Sequence, residues 1–498
     1  MYSIDWIDTG KRQFRASIDA LNTWMRNHQA YNKEIRDLSD TLYNSCGAYG
    51  RVVDYITAMP TLDKIVYGKN TRHRNYKLNK QKFEESLEKI DHIGLTRDIL
   101  RKLAKDGVYF GYFETDSPTQ LKGSFSDYEL DQLTEINSAE MNCAVISLPT
   151  DYCRIASIEN SSFVVAFDMR YFDQFLSNGL SHKLKGFPKE IREKYKKYTS
   201  DKSKNWFALD SSKTIALKVR ADLSERWGRP IGLGAFVDIC FEQDYVAVKR
   251  NTLEESNGAI IYQTYPEGKE KGISSLSSKQ QVGQHDHIRS SLFDRKRTSG
   301  IGFISVAAGT ELKQLKIDHS ILTAIKDDDL MKKISNNLGV ASSLLTGEGS
   351  NFSSQENNLN LIASELFTWL SQIEREFNKV INANIVKDRE CKIYIDYLDI
   401  THHNREKVKN TARELYTNGK GSFKAWVVAA GFNLDSYIGL MDEELEEGFE
   451  EKYPVHQTSY TQSSTEDKKP SEDNPTNENT IKTKSNNANN NPSPKGGE

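Results

Sequence analysis

The stretch from Ile301 to Ile385 reads IGFISVAAGTELKQLKIDHSILTAIKDDDLMKKISNNLGVASSLLTGEGSNFSSQENNLNLIASELFTWLSQIEREFNKVINANI, and it carries the reading of the fold. Two β-type runs, IGFISV and ELKQLKI, flank the turn-like Ala307-Ala308-Gly309-Thr310, and an amphipathic segment follows from Asp318 to Leu338. Gly339 breaks that periodicity. A small-residue loop, Ala341 to Asn351, then carries Gly347 and Gly349, where glycine admits backbone angles that residues with a Cβ avoid. Ser353 and Glu356 have the spacing of a capping box. After them Leu359, Ile362, Leu366, Trp369, Leu370, Ile373, Phe377 and Val380 recur every three or four residues, which predicts a long helix with one buried face.

At 498 residues the chain exceeds what one simple core organises, and it predicts about two to four domains or one elaborated subunit. The formal net charge of −3 excludes a protein that grips nucleic acid over its whole surface. It leaves room for a local basic patch, or for a channel that passes DNA without holding it. The five cysteines, Cys46, Cys143, Cys153, Cys240 and Cys391, form no CxxC pair and have no histidine at ligand spacing, which predicts reduced and mostly buried thiols. The opening MYSIDWIDTGKRQFR mixes both signs of charge where a signal peptide would be apolar, and no apolar run approaches the ~18 residues that a bilayer requires. A product that is cytosolic when made is expected.

Outward from the central stretch, the N-terminal side reads as helix. Phe14, Ile18, Leu21 and Met25 share one stripe, and Leu38, Leu42, Tyr49, Val53 and Ile56 a second that Pro60 stops. A helix from Asn79 carries Phe83, Leu87 and Ile90; Gly94 is expected to interrupt it, and Thr96 to cap a second piece that Gly107 closes. β-type runs follow at VYFGYFET, AVISLP, CRIASIE, SSFVVAFDM and TIALKV, with a charged helix from Lys189 to Tyr198 among them. A helix is expected from Pro230 to about Glu255, then the short run AIIYQTY, a Ser/Gly/Lys-rich loop and a helix from Gln284 to Arg297. Beyond the long helix, KIYIDYLDI is a strand. Three short helices come next, Thr401 to Thr417, Ser422 to Ala430 and Asp435 to about Glu450, punctuated by Gly419 and Gly431. From about Pro454 the composition turns to Ser, Asn, Thr, Lys, Glu and Pro, which cannot bury enough surface to offset its ordering entropy and predicts a disordered tail.

The order strand pair, helix, small-residue loop, long helix resembles the channel-forming part of a tailed-bacteriophage portal protein. Three phrases are similar to the same family: YGRVVDYITAMPTLDKIVYG, a helix leading into an extended run; SLPTDYCRIASIEN, a wing strand pair; and ARELYTNGKGSFKAWVVAAGFNLDSYIGLMDEELEEGFEE, the glycine-punctuated helices of a crown. The resemblance runs from about residue 38 to residue 451. It implies an α+β subunit with an N-terminal α/β wing (1–229), stem helix 1 (230–257), a small α/β clip (258–317), stem helix 2 (318–340), a tunnel loop (341–353), a long wing helix and strand (354–400), a helical crown (401–453) and a disordered tail (454–498). It further implies a homo-oligomeric ring, a dodecamer, at one capsid vertex, through which double-stranded DNA is packaged and ejected. The ring would dock a terminase motor, scaffold or major capsid protein, and neck or tail proteins. Such a protein resides in the virion after assembly in the host cytoplasm and has no membrane partner.

Sites of chemistry are sparse. Asp327, Asp328 and Asp329 suggest a metal site, but successive helix residues point roughly 100° apart and cannot converge on one ion. His402 and His403 diverge for the same reason, so no metal, cofactor or catalytic residue is assigned. There is no GxxxxGK[ST], GxSxG or HExxH, and Val237 stands where GxGxxG would need its last glycine. The cations Lys269, Lys271, Lys279, Arg289, Arg295, Lys296 and Arg297 fall in the clip; they read either as motor docking or DNA contact, or as an ordinary charged surface. Thr346, Gly347, Glu348, Gly349, Ser350 and Asn351 carry no cation; they read either as a loop that sits close to moving DNA without trapping it, or as a plain connection between helices. Two other classes remain open at this level. One is a metal-dependent nucleic-acid-processing enzyme, whose cleavage would depend on Asp328 or Asp329. The other is a different structural virion protein, such as a capsid or neck component, which would form shells or tubes.

Overall fold

The computed structural model describes residues 17–115, 143–159, 162–175, 177–257, 261–270, 273–293, 306–314, 327–346 and 352–453. The chain forms two units, Met1–Ala430 and Gly431–Glu498. The first is a mixture of helices with small antiparallel sheets. It opens with helices α1 (Ile18–Arg26), α2 (Asn32–Ser45) and α3 (Gly47–Ala58), strand β1 (Lys64–Gly68), and helices α4 (Tyr76–Lys89) and α5 (His92–Asp106). Strands β2 (Val108–Glu114), β3 (Ala144–Ser147), β4 (Cys153–Glu159) and β5 (Ser162–Asp168) follow, then α6 (Ser177–Gly186), α7 (Lys189–Ser200), β6 (Trp206–Ala208) and β7 (Thr214–Lys218). Next come α8 (Phe236–Asn257), β8 (Ile261–Thr264), α9 (Ser278–Phe293), β9 (Glu311–Gln314), α10 (Asp327–Leu338), α11 (Ser342–Thr346) and α12 (Phe352–Ile381). Strand β10 (Ile393–Tyr397) and helices α13 (Arg405–Thr417) and α14 (Phe423–Ala429) complete the unit.

The sheet β3-β2-β7 separates two apolar cores. All seven residues of β2 are buried, and alternation sorts them: Tyr109 and Phe113 enter a helical core, whereas Val108, Phe110 and Tyr112 enter an aromatic one. Ile215 and Leu217 of β7 join the first, Ala216 the second. The helical core gathers α2, α3, α5 and the buried face of α12, including Leu366, Trp369, Ile373 and Phe377. The aromatic core lies under the sheet β4-β5-β6 with α6 and α7, where Phe167, Tyr171, Phe172 and Phe187 meet at centroid distances of 5.1–6.2 Å. Strand β1 pairs with β10 and β8 with β9, each antiparallel, closing loops hundreds or tens of residues long.

Several boundaries differ from expectation, each for a local reason. The break between α4 and α5 falls at Asp91 rather than Gly94: Asp91 takes a left-handed φ of 45° and its carboxylate accepts the Gly94 N–H. Thr96 is therefore inside α5, where its hydroxyl meets Tyr397 Oη at 3.1 Å. Helix α8 begins at Phe236, not Pro230, because residues 231–235 form turns in which Leu233 N–H and Ala235 N–H bond three residues back. Helix α9 starts at Ser278 instead of Gln284. Ser277 and Gln280 form its cap, with the Gln280 side chain accepting from Ser277 N–H at 3.0 Å. Helix α12 already includes Phe352, so Ser353 is in its first turn rather than before it. Helix α13 starts at Arg405, after Thr401 and Asn404 exchange backbone-to-side-chain bonds. The run IGFISV up to Ser305, residues 318–326 of the expected stem helix 2, and the tail 454–498 lie outside the described residues.

The second unit contains α15 (Leu434–Glu446), capped by the Asn433 side chain, and α16 (Phe449–Lys452). Gly448 separates them at a φ of 63°, so the single acidic helix expected to run to Glu450 is two. The boundary at Gly431 falls inside the span read as one crown.

Candidate functional site

The candidate channel element is a hairpin of helices, and its base is set by two glycines. Gly107 ends α5 at φ 74° and packs against Gly228, where a Cβ on either would overlap the other's backbone. The Gly107 carbonyl accepts from Val219 N–H, and the Val219 carbonyl accepts from Arg229 N–H, so the chain enters the hairpin from a fixed point. Phe236 then buries its ring edge-on against Tyr49, with centroids 5.5 Å apart, and Ile239 is buried beside it. Farther along α8 the apolar side chains emerge: Phe241 is 39% and Val248 51% exposed. These side chains leave α8 apolar on more than one face.

Helix α10 meets the start of α8 with its C-terminal half. Lys333 Nζ lies 2.7 Å from Asp238 of α8, and Asn337 Nδ2 donates to the same carboxylate at 2.5 Å. Gly339 ends α10 at φ 76° with Val340 N–H bonded to the Ser335 carbonyl, a left-handed C-terminal cap. Asn358 of the long helix clamps this end: its Nδ2 donates to the Gly339 carbonyl at 3.1 Å and its Oδ1 accepts from Ala341 N–H at 3.0 Å. Helix α11 follows, and Arg51 donates to the Leu345 carbonyl at 3.4 Å. Of the residues expected in the tunnel loop, Thr346 ends α11, while Gly347, Glu348, Gly349, Ser350 and Asn351 lie outside the described residues. Asp328 and Asp329 are exposed in the first turn of α10.

At the other end of the hairpin, α8 leads into a small lobe made from the ribbon β8-β9, the turn that follows it and α9. Tyr265 Oη donates to the Gln281 carbonyl at 3.0 Å, Gln284 donates to Thr310 at 3.0 Å, and Ile288 is buried. Lys269 is exposed on the turn, Lys279 and Arg289 on α9. The last two stand ten residues, or about 15 Å, apart along the helix and do not converge. Lys271, Arg295, Lys296 and Arg297 lie outside the described residues.

Two features escaped the sequence reading. The first is a side-chain ladder from α12 and the π-helical turn Asn382–Val386 that continues it to the free edge of β10. Asn382 Oδ1 accepts from Ile393 N–H at 3.0 Å and its Nδ2 donates to the Ile393 carbonyl at 2.6 Å; Asn378 makes the same pair with Ile395 at 2.8 and 3.1 Å. Glu374 Oε1 accepts from Tyr397 N–H at 2.6 Å. Four helical residues advance about 6 Å and two strand residues about 6.8 Å, so three rungs fit before the mismatch accumulates. Burial, helped by the nearby charges of Asp396 and Asp399, pushes the Glu374 carboxyl up to about 7. The second is a set of exposed cations, Lys69, Arg72, Arg74, Lys77, Lys387, Arg389 and Lys392, in two segments more than three hundred residues apart in sequence. Among the described residues, no three of His, Cys, Asp and Glu are placed to hold a metal ion.

No protein-family profile matches the chain. A curated relative is 23% identical over 500 residues, covering 95% of this chain and 90% of its own: the SPbeta prophage-derived uncharacterized protein YonE of Bacillus subtilis (strain 168). Among solved structures, the chain is similar to one in the virion of a native gene transfer agent particle, at 10% identity and a TM-score of 0.46, covering 84% of this chain and 99% of that one. It is similar to a chain in the neck of the native gene transfer agent particle at 11% identity and a TM-score of 0.42, covering 79% and 93%. An HK97-family phage portal protein from Corynebacterium diphtheriae is a further neighbour, at 13% identity and a TM-score of 0.30, covering 71% and 93%.

Proposed function

We propose that this chain is the subunit of a phage portal: a ring at one capsid vertex, passing double-stranded DNA during packaging and ejection. One observation carries the reading. The start of α8 is fastened through Asp238 to the C-terminal half of α10, the small β8-β9 lobe lies between the two helices in the chain, and a clamped connector leads on into the 30-residue helix α12. That order supports reading them as the stem, clip, tunnel loop and long wing helix of a portal subunit. The prophage origin of the relative of similar length supports the same reading. In it, the stem helices pack against neighbouring subunits through side chains such as Phe241 and Val248. The clip lobe presents Lys269, Lys271, Lys279, Arg289, Arg295, Lys296 and Arg297 to the packaging motor and later to neck proteins, and residues 346–351 approach the DNA. The subunit acts as a conduit and docking ring, and is not an enzyme.

Negative-stain electron microscopy of the purified protein, with native mass spectrometry on the same sample, tests this. Discrete rings with a central hole and a mass of about twelve subunits are expected for a closed cyclic assembly. Shells, tubes or a monodisperse monomer at micromolar concentration would overturn it.

A further inference from the structure

The pairing of β1 with β10 brings two turns side by side at one end of that ribbon, where Gly68 is opposite Ile393. The turn after β1 and the start of α4 carry Lys69, Arg72, Arg74 and Lys77; the turn before β10 carries Lys387, Arg389 and Lys392. All seven side chains are exposed. The turns are fastened together: Asn75 and Asn79 donate to Asp388 at 3.4 and 3.0 Å, Asn79 also to the Cys391 carbonyl at 3.1 Å, and Cys391 Sγ to the Asn70 carbonyl at 3.8 Å. Hydrogen bonds from Asn79 and the Cys391 and Glu390 N–H groups hold the Asp388 carboxyl below its usual range, so the central acid of the patch is engaged in structure. Glu390 and Asp396 are the exposed acids nearby, and His73 lies 3.8 Å from Glu390. Among the described residues, none of the seven cations is within 4.0 Å of a carboxylate. Arg375, Lys387, Arg389 and Lys392 border a cleft of about 760 Å³ beside the stacked pair Tyr67 and Tyr394, whose ring Lys69 covers at 5.3 Å.

We infer that this end of the β1-β10 ribbon is a docking face for the phosphate backbone of a nucleic-acid duplex. Unpaired like charges on adjoining turns repel one another, and a chain of net charge −3 gathers them here on hydrogen-bonded turns. A phosphate backbone needs spaced cations and polar side chains without a deep apolar anchor. A protein partner would instead need an apolar centre, and the exposed apolar side chains here are Tyr67 and Leu78. The face is separate from the α8-α10 hairpin, and the inference does not rest on the ring.

The test uses the full chain and relaxed closed-circular duplex DNA, which has no end to thread into any channel, in gel-shift titrations at several salt concentrations between 50 and 200 mM. The wild type should retain the circle, with affinity falling steeply as salt rises. Neutralising R72Q, R74Q, R389Q and K392Q together should lower affinity at least tenfold at the low-salt end and reduce the log–log salt slope by about 3 to 4. The same protein should keep its thermal midpoint, while K196Q with K197Q, exposed cations of α7 outside both the clip and this face, keeps wild-type binding to the circle. Unchanged affinity and slope in the quadruple variant would overturn the inference. So would a wild type that ignores the circle, including one that binds poly-L-glutamate instead, an outcome that would assign the face to an acidic protein segment.

Discussion

Replacing Asn382 with Ala isolates one rung of the ladder that protects β10. The side chain is 8% exposed and bonds both the N–H and the carbonyl of Ile393, itself fully buried. Its loss leaves one donor and one acceptor of the backbone unsatisfied. At about 1–3 kcal/mol for each, the strand edge loses about 2–6 kcal/mol, nearer 2 if a water enters the vacated space. Hydrogen exchange by mass spectrometry on peptides spanning 390–400 reads this locally, because β10 need not open with the whole unit. A loss of 2 kcal/mol predicts exchange about 30-fold faster, provided reclosing outruns exchange. Asn382→Asp keeps an acceptor for Ile393 N–H but sets a second acceptor against the Ile393 carbonyl, so it should exchange at least as fast as Ala. Asn378→Ala should behave similarly at Ile395, which is also buried. Less than threefold acceleration in both Ala variants would show that β10 is held by its pairing with β1 alone.

Three further outcomes follow from named groups. Glu374 has a folded pKa of about 7, above its ordinary 4.5, so the folded state keeps a proton that the unfolded chain releases; its contribution is present below pH 4.5 and lost as pH rises through 7. Glu374→Gln, which retains an acceptor for Tyr397 N–H, should therefore match the wild type in thermal midpoint at pH 5 and exceed it at pH 8, and an equal difference at both would contradict the assignment. Gly228→Ala should destabilise the first unit or prevent its soluble expression, since the new Cβ meets the Gly107 carbonyl; an unchanged thermal midpoint would refute the close approach. Deleting residues 347–351 should leave rings intact under the microscope but impair packaging, and normal genome filling would remove the loop from the mechanism.

Much of the fold was legible because periodicity reports which face of an element is buried. The stripe from Leu366 to Val380 is the buried face of α12, and the alternating aromatics of β2 divide between two cores. Boundaries were less legible where a side chain does what a glycine or proline was expected to do. Asp91 takes the left-handed turn that Gly94 was expected to make, because a short acid can bond back to the N–H three residues on. Pro230 does not start a helix, because Gly232 is pressed against the Tyr49 ring and the chain there must pass as turns.

What stayed illegible depends on pairing across long separations. Strand β1 finds β10 through residues 64–68 and 393–397, and nothing in either run names the other. Before that pairing, Asn378 and Asn382 look like solvent-facing helix positions, and Arg72 or Lys392 like isolated surface charges. Afterwards the asparagines satisfy a strand edge, and the cations form one field on fastened turns. Of the cations grouped from the sequence in the clip, Lys279 and Arg289 stand about 15 Å apart along α9. Electrostatic attraction of a polyanion depends on distances within about a Debye length, ~8–10 Å at physiological salt, not on spacing along the chain. The folded pairing, rather than local charge density, therefore decides where this protein should meet a polyanion outside any channel.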